Sequence, residues 1–228
     1  TVEDGELTQT DTIAMEDELV LEIGASGLGG MLVDQNTEDG DVTSAFVDAL
    51  DEDDQTTFNI TFEQLDPGSN ADAQEVNMDA FGTSDLSVFY SEDADAHYLL
   101  INEKALDDQL DTIEDGEEYE VSFELQDEWL LEYDGTEEDY DENYQTVTAE
   151  VAFEDRTASF DTTEVNDSDY VTVEAAAEQT ISGTTNIAPG SEVSIRASGT
   201  GDAVFVEEQT ELVVAEDGTF SGTFDFSD

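Results

Sequence analysis

The stretch Tyr170 to Asp228 reads YVTVEAAAEQTISGTTNIAPGSEVSIRASGTGDAVFVEEQTELVVAEDGTFSGTFDFSD. Apolar and polar residues alternate there in short runs, each closed by Gly, Pro, Asn or Asp. Val193, Ile195 and Ala197 fall on one face, Ser194 and Arg196 on the other. Near the end, Phe220, Gly222, Phe224 and Phe226 share a face opposite Thr219, Ser221, Thr223 and Asp225. A period of two with turn residues between runs marks half-buried antiparallel strands. No catalytic motif interrupts the pattern, so function has to be argued from sheet.

The same alternation runs back through the chain. Tyr119, Val121, Phe123 and Leu125 alternate with Glu118, Glu120, Ser122 and Glu124. Phe58, Ile60 and Phe62 face inward between Thr57, Asn59 and Thr61, and Val147, Ala149, Val151 and Phe153 share a face. Strands are also expected over Glu18–Ile23, Leu86–Tyr90 and His97–Ile101. The polar residues from Thr1 to Asp17 could pair as an edge strand. Asp66-Pro67-Gly68-Ser69-Asn70 has the chemistry of a turn.

Two stretches depart from this pattern. From Asn102 to Ile113, Leu106, Leu110 and Ile113 recur at helical spacing, predicting one short amphipathic helix. Val42–Leu50 is an apolar island compatible with a short helix. The run Gly24-Ala25-Ser26-Gly27-Leu28-Gly29-Gly30 follows a strand and invites a phosphate-cradle reading, but it is not GxGxxG and no GK[ST] follows. A glycine-rich hairpin or bulge leading into a strand at Met31-Leu32-Val33 is the simpler reading.

The polar run Asp161 to Asp169 separates two strand-rich blocks. The expectation is therefore an all-β chain of two tandem antiparallel β-sandwiches of immunoglobulin-like type, with the one short helix in the first. The first spans residues 1–160, the linker 161–169, and the second 170–228.

Gln179-Thr180-Ile181-Ser182-Gly183-Thr184-Thr185-Asn186-Ile187-Ala188-Pro189-Gly190 and, about thirty residues on, Asp217-Gly218-Thr219-Phe220-Ser221-Gly222-Thr223-Phe224-Asp225-Phe226-Ser227 together resemble a surface domain of haloarchaeal cell-surface glycoproteins, the S-layer and S-layer-like exported proteins. The run Phe89-Tyr90 to Asn102-Glu103, with His97-Tyr98-Leu99-Leu100-Ile101 inside it, resembles the segment preceding that domain, as does Thr146-Val147-Thr148-Ala149-Glu150. The likeness covers the last two thirds of the chain and rests on strands and turns. It implies an extracellular structural component of the cell surface. In such proteins the C-terminal domain continues with further strands, so a remainder beyond Asp228 is expected. A start at Thr1 fits a processed or excised fragment.

Charge agrees with a saline setting. The chain carries 63 Asp and Glu against 3 Lys and Arg, a formal charge of -60. Like charges at this density oppose compaction, and concentrated salt removes most of that penalty. Such charge often signals disorder. Here 37% of the residues are hydrophobic, with 12 Phe and 7 Tyr in periodic runs, which favours a folded halophilic protein. Lys104, Arg156 and Arg196 are scattered singly, so no basic patch offers itself to nucleic acid or anionic lipid. Arg156 and Arg196 read as structural ion-pair partners. Cysteine is absent, which excludes disulfides and thiolate chemistry. No apolar run reaches the roughly 18 residues of a membrane span.

Candidate sites are few. Asn59-Ile60-Thr61 and Asn166-Asp167-Ser168 are N-glycosylation sequons, the first on the outer face of a strand and the second in the linker. The clusters Asp51-Glu52-Asp53-Asp54, Glu92-Asp93-Asp95, Asp107-Asp108-Asp111 and Glu137-Glu138-Asp139-Asp141-Glu142 invite a Ca²⁺ or Mg²⁺ reading. None follows the calcium-loop spacing, and solvated surface explains them better. His97, the single histidine, lies in an apolar run and reads as core or edge rather than as a zinc ligand or catalytic base. No catalytic residue and no required cofactor is assigned, and the chain is not read as an enzyme.

Two functions remain. The first is a structural segment of the cell surface, partnered by copies of itself or neighbouring domains, by inorganic cations and by covalent N-glycan. The alternative is a set of non-catalytic accessory or adhesion domains that bind glycan or a partner, with Trp129, Tyr133, Tyr140 and Tyr144 available to stack on sugars.

Overall fold

A computed structural model describes residues 10–35, 41–50, 57–92, 94–110, 113–126, 144–165, 168–199 and 205–227. The chain divides into two units. One is Met15–Glu154; the other is Asp155–Asp228 with the N-terminal strand β1 (Thr12–Ala14). Both are built mostly of antiparallel strands, in several open sheets.

The larger unit begins with β2 (Leu19–Ile23), and the chain then departs from the expected hairpin. It turns at Gly27, whose φ of 91° suits glycine, and winds into helix α1 (Leu28–Gln35). Met31 and Leu32 are therefore helical, not part of a strand. Gly29 and Gly30 each cost a helix about 1 kcal/mol relative to alanine. Burial of Leu28 and Leu32, one turn apart, offsets this. Helix α2 (Val42–Leu50) follows, with Ala45, Phe46, Ala49 and Leu50 buried. Together with Val42 they occupy i, i+3, i+4, i+7 and i+8, the stripe of a helix that packs on one side. Asp41 caps it, accepting the Thr43 N–H at 3.2 Å and the Ser44 hydroxyl at 2.7 Å.

Then come β3 (Phe58–Leu65), β4 (Glu75–Asn77), β5 (Leu86–Ser91), β6 (Ala96–Ile101), α3 (Glu103–Gln109), β7 (Glu118–Leu125) and β8 (Gln145–Glu154). Helix α3 is the one expected from Asn102 to Ile113. Asn102 caps it by accepting the Lys104 N–H at 3.0 Å, and Leu106, Leu110 and Ile113 are buried. The larger unit thus holds three α-helices among its described residues, where the periodicity promised one. Of the two additional helices, α2 is the apolar island that is compatible with a short helix, whereas α1 stands where a strand over Met31-Leu32-Val33 is expected.

Two sheets make up the rest of the larger unit. One runs β8-β7-β3-β4, the other β2-β6-β5. In the first, Phe62 opposes Val121 and Ile60 opposes Phe123. Phe58, Ile60, Phe62, Tyr119, Val121, Val151 and Phe153 are all buried. Each such side chain contributes roughly 1.5–3 kcal/mol on leaving water. Helix α2 touches both β3 and β5. The Phe46 ring lies 4.8 Å from that of Phe58, and Thr43 accepts the Val88 N–H at 3.0 Å. The alternating face of β8 is buried only toward its end, since Val147 is 66% exposed.

A half-buried polar knot closes one end of this sheet. Glu117 accepts Gln64 Nε2 at 2.6 Å, the Tyr119 hydroxyl at 2.9 Å and the Glu114 N–H at 3.0 Å. Burial, with the Glu117 carboxylate beside it, pushes the Tyr119 hydroxyl well above its ordinary range, so it stays a donor.

The smaller unit continues with β9 (Ala158–Phe160), β10 (Thr163–Val165), β11 (Ser168–Tyr170), β12 (Gln179–Thr185), β13 (Glu192–Ser198), β14 (Val206–Val213) and β15 (Thr219–Phe224). Its sheets run β15-β12-β9, β13-β14 and β10-β11. The polar run 161–169 carries the β10–β11 pairing, and β9 joins β12 on the far side of it. The division between units falls before that run, between Glu154 and Asp155.

Ile181, Ile195, Phe220 and Phe224 form the core of this unit, ringed by Val171, Val173, Val193, Ala197, Leu212 and Phe226. Side chains from β12 and β15 thereby meet those of β13 and β14. Gln209 adds a polar tie. Its amide donates to the Thr223 carbonyl and accepts the Thr223 N–H at 3.0 Å, imitating a strand partner across to β15. Asn186 holds the start of the unit by accepting the Thr157 N–H at 2.8 Å and donating to the Asp155 carbonyl at 2.9 Å.

Candidate functional site

The glycine turn that becomes α1 leaves a cavity of about 760 Å³ against the β5–β6 hairpin. Its walls include Ser26, Gly29, Val42, Tyr90, Asp95 and His97. The strand register builds the floor. His97 is the second residue of β6, paired with Ile23 of β2 on one side and Tyr90 of β5 on the other. The Tyr90 and His97 rings lie 4.9 Å apart at 43°. A Cβ on Gly29 would stand 3.4 Å from His97 Cε1, so the imidazole lies against the first turn of α1. Around Gly24 and Gly30 the space is open.

The electrostatics are unusual for so acidic a chain. From Ile23 to Val33 there is no charged residue. His97 is only 4% exposed, and neither ring nitrogen has a hydrogen-bond partner among the described residues. Burial pulls its pKa below the ordinary 6.5, with the Asp95 carboxylate opposing in part. At pH 7 the ring is therefore neutral, with one donor and one acceptor nitrogen. Tyr90 is 46% exposed and donates to Asp95 at 2.8 Å. That bond pushes the Tyr90 hydroxyl above its ordinary pKa of 10.0.

Because the folded chain takes up a proton at His97 less readily than the unfolded chain, the neutral ring's contribution to stability is complete above about pH 6.5. It declines as the pH falls through the window below that value. An NMR titration of the single imidazole in concentrated salt is expected to give a midpoint below 6.5. A midpoint above it would mean that Asp95 outweighs burial.

The sequence-derived candidates disperse. Asn59 lies half-buried on β3 opposite Glu124 of β7, and the hydroxyl of its sequon partner Thr61 meets that of Ser122 at 3.1 Å. Asn166, Trp129, Tyr133, Tyr140, the Asp51–Asp54 cluster and the Glu137–Glu142 cluster lie outside the described residues, as do Asp93 and Asp111. Tyr144 is half-buried just before β8. No group of three or more Asp, Glu or His able to hold a metal occurs among the described residues. His97 is core, as its apolar run implies, yet it also borders the cavity. That second role depends on α1, which the sequence reading made a strand. The one available signal was the uncharged glycine run itself.

Among the described residues no helix is long and apolar enough to cross a membrane. No family model matches the chain. It is 33% identical over 235 residues to cell surface glycoprotein 2 of Haloarcula hispanica, covering 97% of this chain and 24% of that protein. It is 31% identical over 242 residues to the cell surface glycoprotein of Haloferax gibbonsii, covering all of this chain and 24% of that protein. Cell surface glycoprotein 1 of Haloarcula hispanica is 33% identical over 234 residues. The chain spans about a quarter of the length of these curated relatives.

Proposed function

The chain is a relative of one segment of the haloarchaeal cell surface glycoproteins, and from that kinship we propose that it is a structural segment of an S-layer or S-layer-like coat. The observation that carries this reading is a match running along 97% of the chain, through both units. Its place is the outside of the cell. It works as a scaffold, with sheets of each unit packing face to face and carboxylate-rich faces held in solution by inorganic cations.

Several features support the scaffold reading. The 63 carboxylates face 3 basic side chains, so solute cations must balance the remainder. Glu207, Glu208 and Glu211 on β14 are exposed, and so is Glu150 on β8. Copies of the chain or neighbouring domains of the same protein are the partners, and N-glycan on Asn59 and Asn166 is its modification. Chemistry on a substrate has no part in this role.

Immunogold labelling of intact cells of the source organism, with antibodies raised against the chain, tests the reading. Dense labelling over the whole envelope is expected, together with glycopeptides containing Asn59 and Asn166. Labelling that appears only after lysis would overturn it.

A further inference from the structure

We propose that the cavity beside His97 binds a neutral sugar. Its volume of about 760 Å³ lies within the range of small-ligand sites. Sugars have one face of C–H bonds and a rim of hydroxyls, and the walls match both. The Tyr90 ring, 46% exposed and seated beside His97, is a platform for the C–H face. The buried imidazole, without a hydrogen-bond partner among the described residues, offers one donor and one acceptor to hydroxyls. The His97 nitrogens are not among the buried side-chain atoms left without a partner, so they reach the open space of the cavity, where a ligand hydroxyl can meet them. Ser26 and the Asp95 carboxylate add further partners. The glycine turn presents backbone with no side chain to block approach.

Charge argues against the alternatives. An anion would meet a neutral imidazole and a carboxylate, and neither Lys nor Arg lines the cavity. A cation would find a single carboxylate, already engaged by the Tyr90 hydroxyl. A neutral ligand held by hydrogen bonds and ring contact also suits concentrated brine, where long-range attraction between charges is screened away. Tyr144 does not line the cavity, and the proposal does not depend on the coat-forming role.

The chain's single histidine is its own reporter. In about 3 M NaCl, the His97 imidazole resonances are followed while methyl glycosides of glucose, galactose and mannose are added. The methyl glycoside of glucuronic acid is the charged control, and the host's released N-glycan forms a separate arm. A saturable shift of His97 with at least one neutral probe is expected. Response to simple glycosides assigns the site to free or polysaccharide sugars, and response to the N-glycan alone assigns it to glycan on neighbouring chains. Tyr90→Ala should weaken binding by about tenfold, the loss of one stacked ring. Gly29→Val should abolish it by filling the space beside the imidazole, and Val147→Ser, on the exposed part of β8, should leave it unchanged. A His97 resonance indifferent to every neutral probe in protein whose remaining spectrum is intact overturns the proposal. So does an undiminished response in Tyr90→Ala, or tighter binding of the glucuronide.

Discussion

Moved from about 3 M to about 0.1 M NaCl, the protein is expected to lose its near-UV circular dichroism, and to regain it when salt is restored. The screening length grows from less than about 3 Å to about 10 Å in that step. Two carboxylates about 7 Å apart in water repel by about 0.6 kcal/mol before screening. A formal charge of -60 on 228 residues repeats such repulsion, weaker at larger spacing, over the whole surface. Summed over the surface, the repulsion becomes comparable with the roughly 5–15 kcal/mol by which domains are usually stable. Ion pairing offers little relief. Lys104 reaches Asp108 at 3.2 Å, but both side chains are largely exposed, and such pairs contribute little. Moderate acidification at low salt should restore part of the signal, because protonating carboxylates removes the repulsion. A native near-UV spectrum at 0.1 M and pH 7 would show that surface charge does not set this protein's stability.

Gly183→Val is expected to destabilise the smaller unit by about 3 kcal/mol, the upper range for overfilling a packed site. Gly183 lies in β12 between β9 and β15, opposite Phe160 on one side and Phe220 on the other. A Cβ there would overlap the Ser159 carbonyl oxygen and come within 2.7 Å of Phe220 Cζ. The first obstacle is backbone of a paired strand, which cannot rotate away. The second is a buried ring, held edge-on to Phe160 at 5.9 Å. Accommodating the side chain means parting β9 from β12 or expelling Phe220 from the core. Urea unfolding at constant high salt, followed by far-UV circular dichroism, measures the effect. Gly68→Ala, where a Cβ meets open space, is the control and should stay within about 0.5 kcal/mol. An unchanged urea midpoint in Gly183→Val would mean that β9 does not hold its place against β12.

Much of the sheet was legible because alternation is a local signal. Phe58, Ile60 and Phe62, or Phe220 and Phe224, announce a buried face whatever they pack against, and each is buried. The helices show where local signals fail. In Leu28–Gln35 two glycines oppose helix formation, and only burial of Leu28 and Leu32 overrides them. In Val42–Leu50 the apolar stripe is regular, but it covers only nine residues and gains its meaning from Phe58 and Val88, distant in sequence. The polar run 161–169 shows pairing that composition does not announce. Composition reads it as a linker, yet backbone pairing needs no apolar side chain, and two short strands form there.

The candidate cavity was the least legible feature. His97 in an apolar run and a glycine-rich turn more than sixty residues earlier carry no mutual signal along the chain. By itself the sequence determined the strand-rich character, the excess of acidic residues, and the kinship with haloarchaeal surface proteins, because each is written in composition or in period-two pattern. Tertiary structure alone decided that the glycine turn would enter a helix, and that this helix would lie against a buried imidazole beside Tyr90. The cause is burial: the free energy of sheltering Leu28 and Leu32 is realised only once α1 packs on α2, and no local propensity contains it.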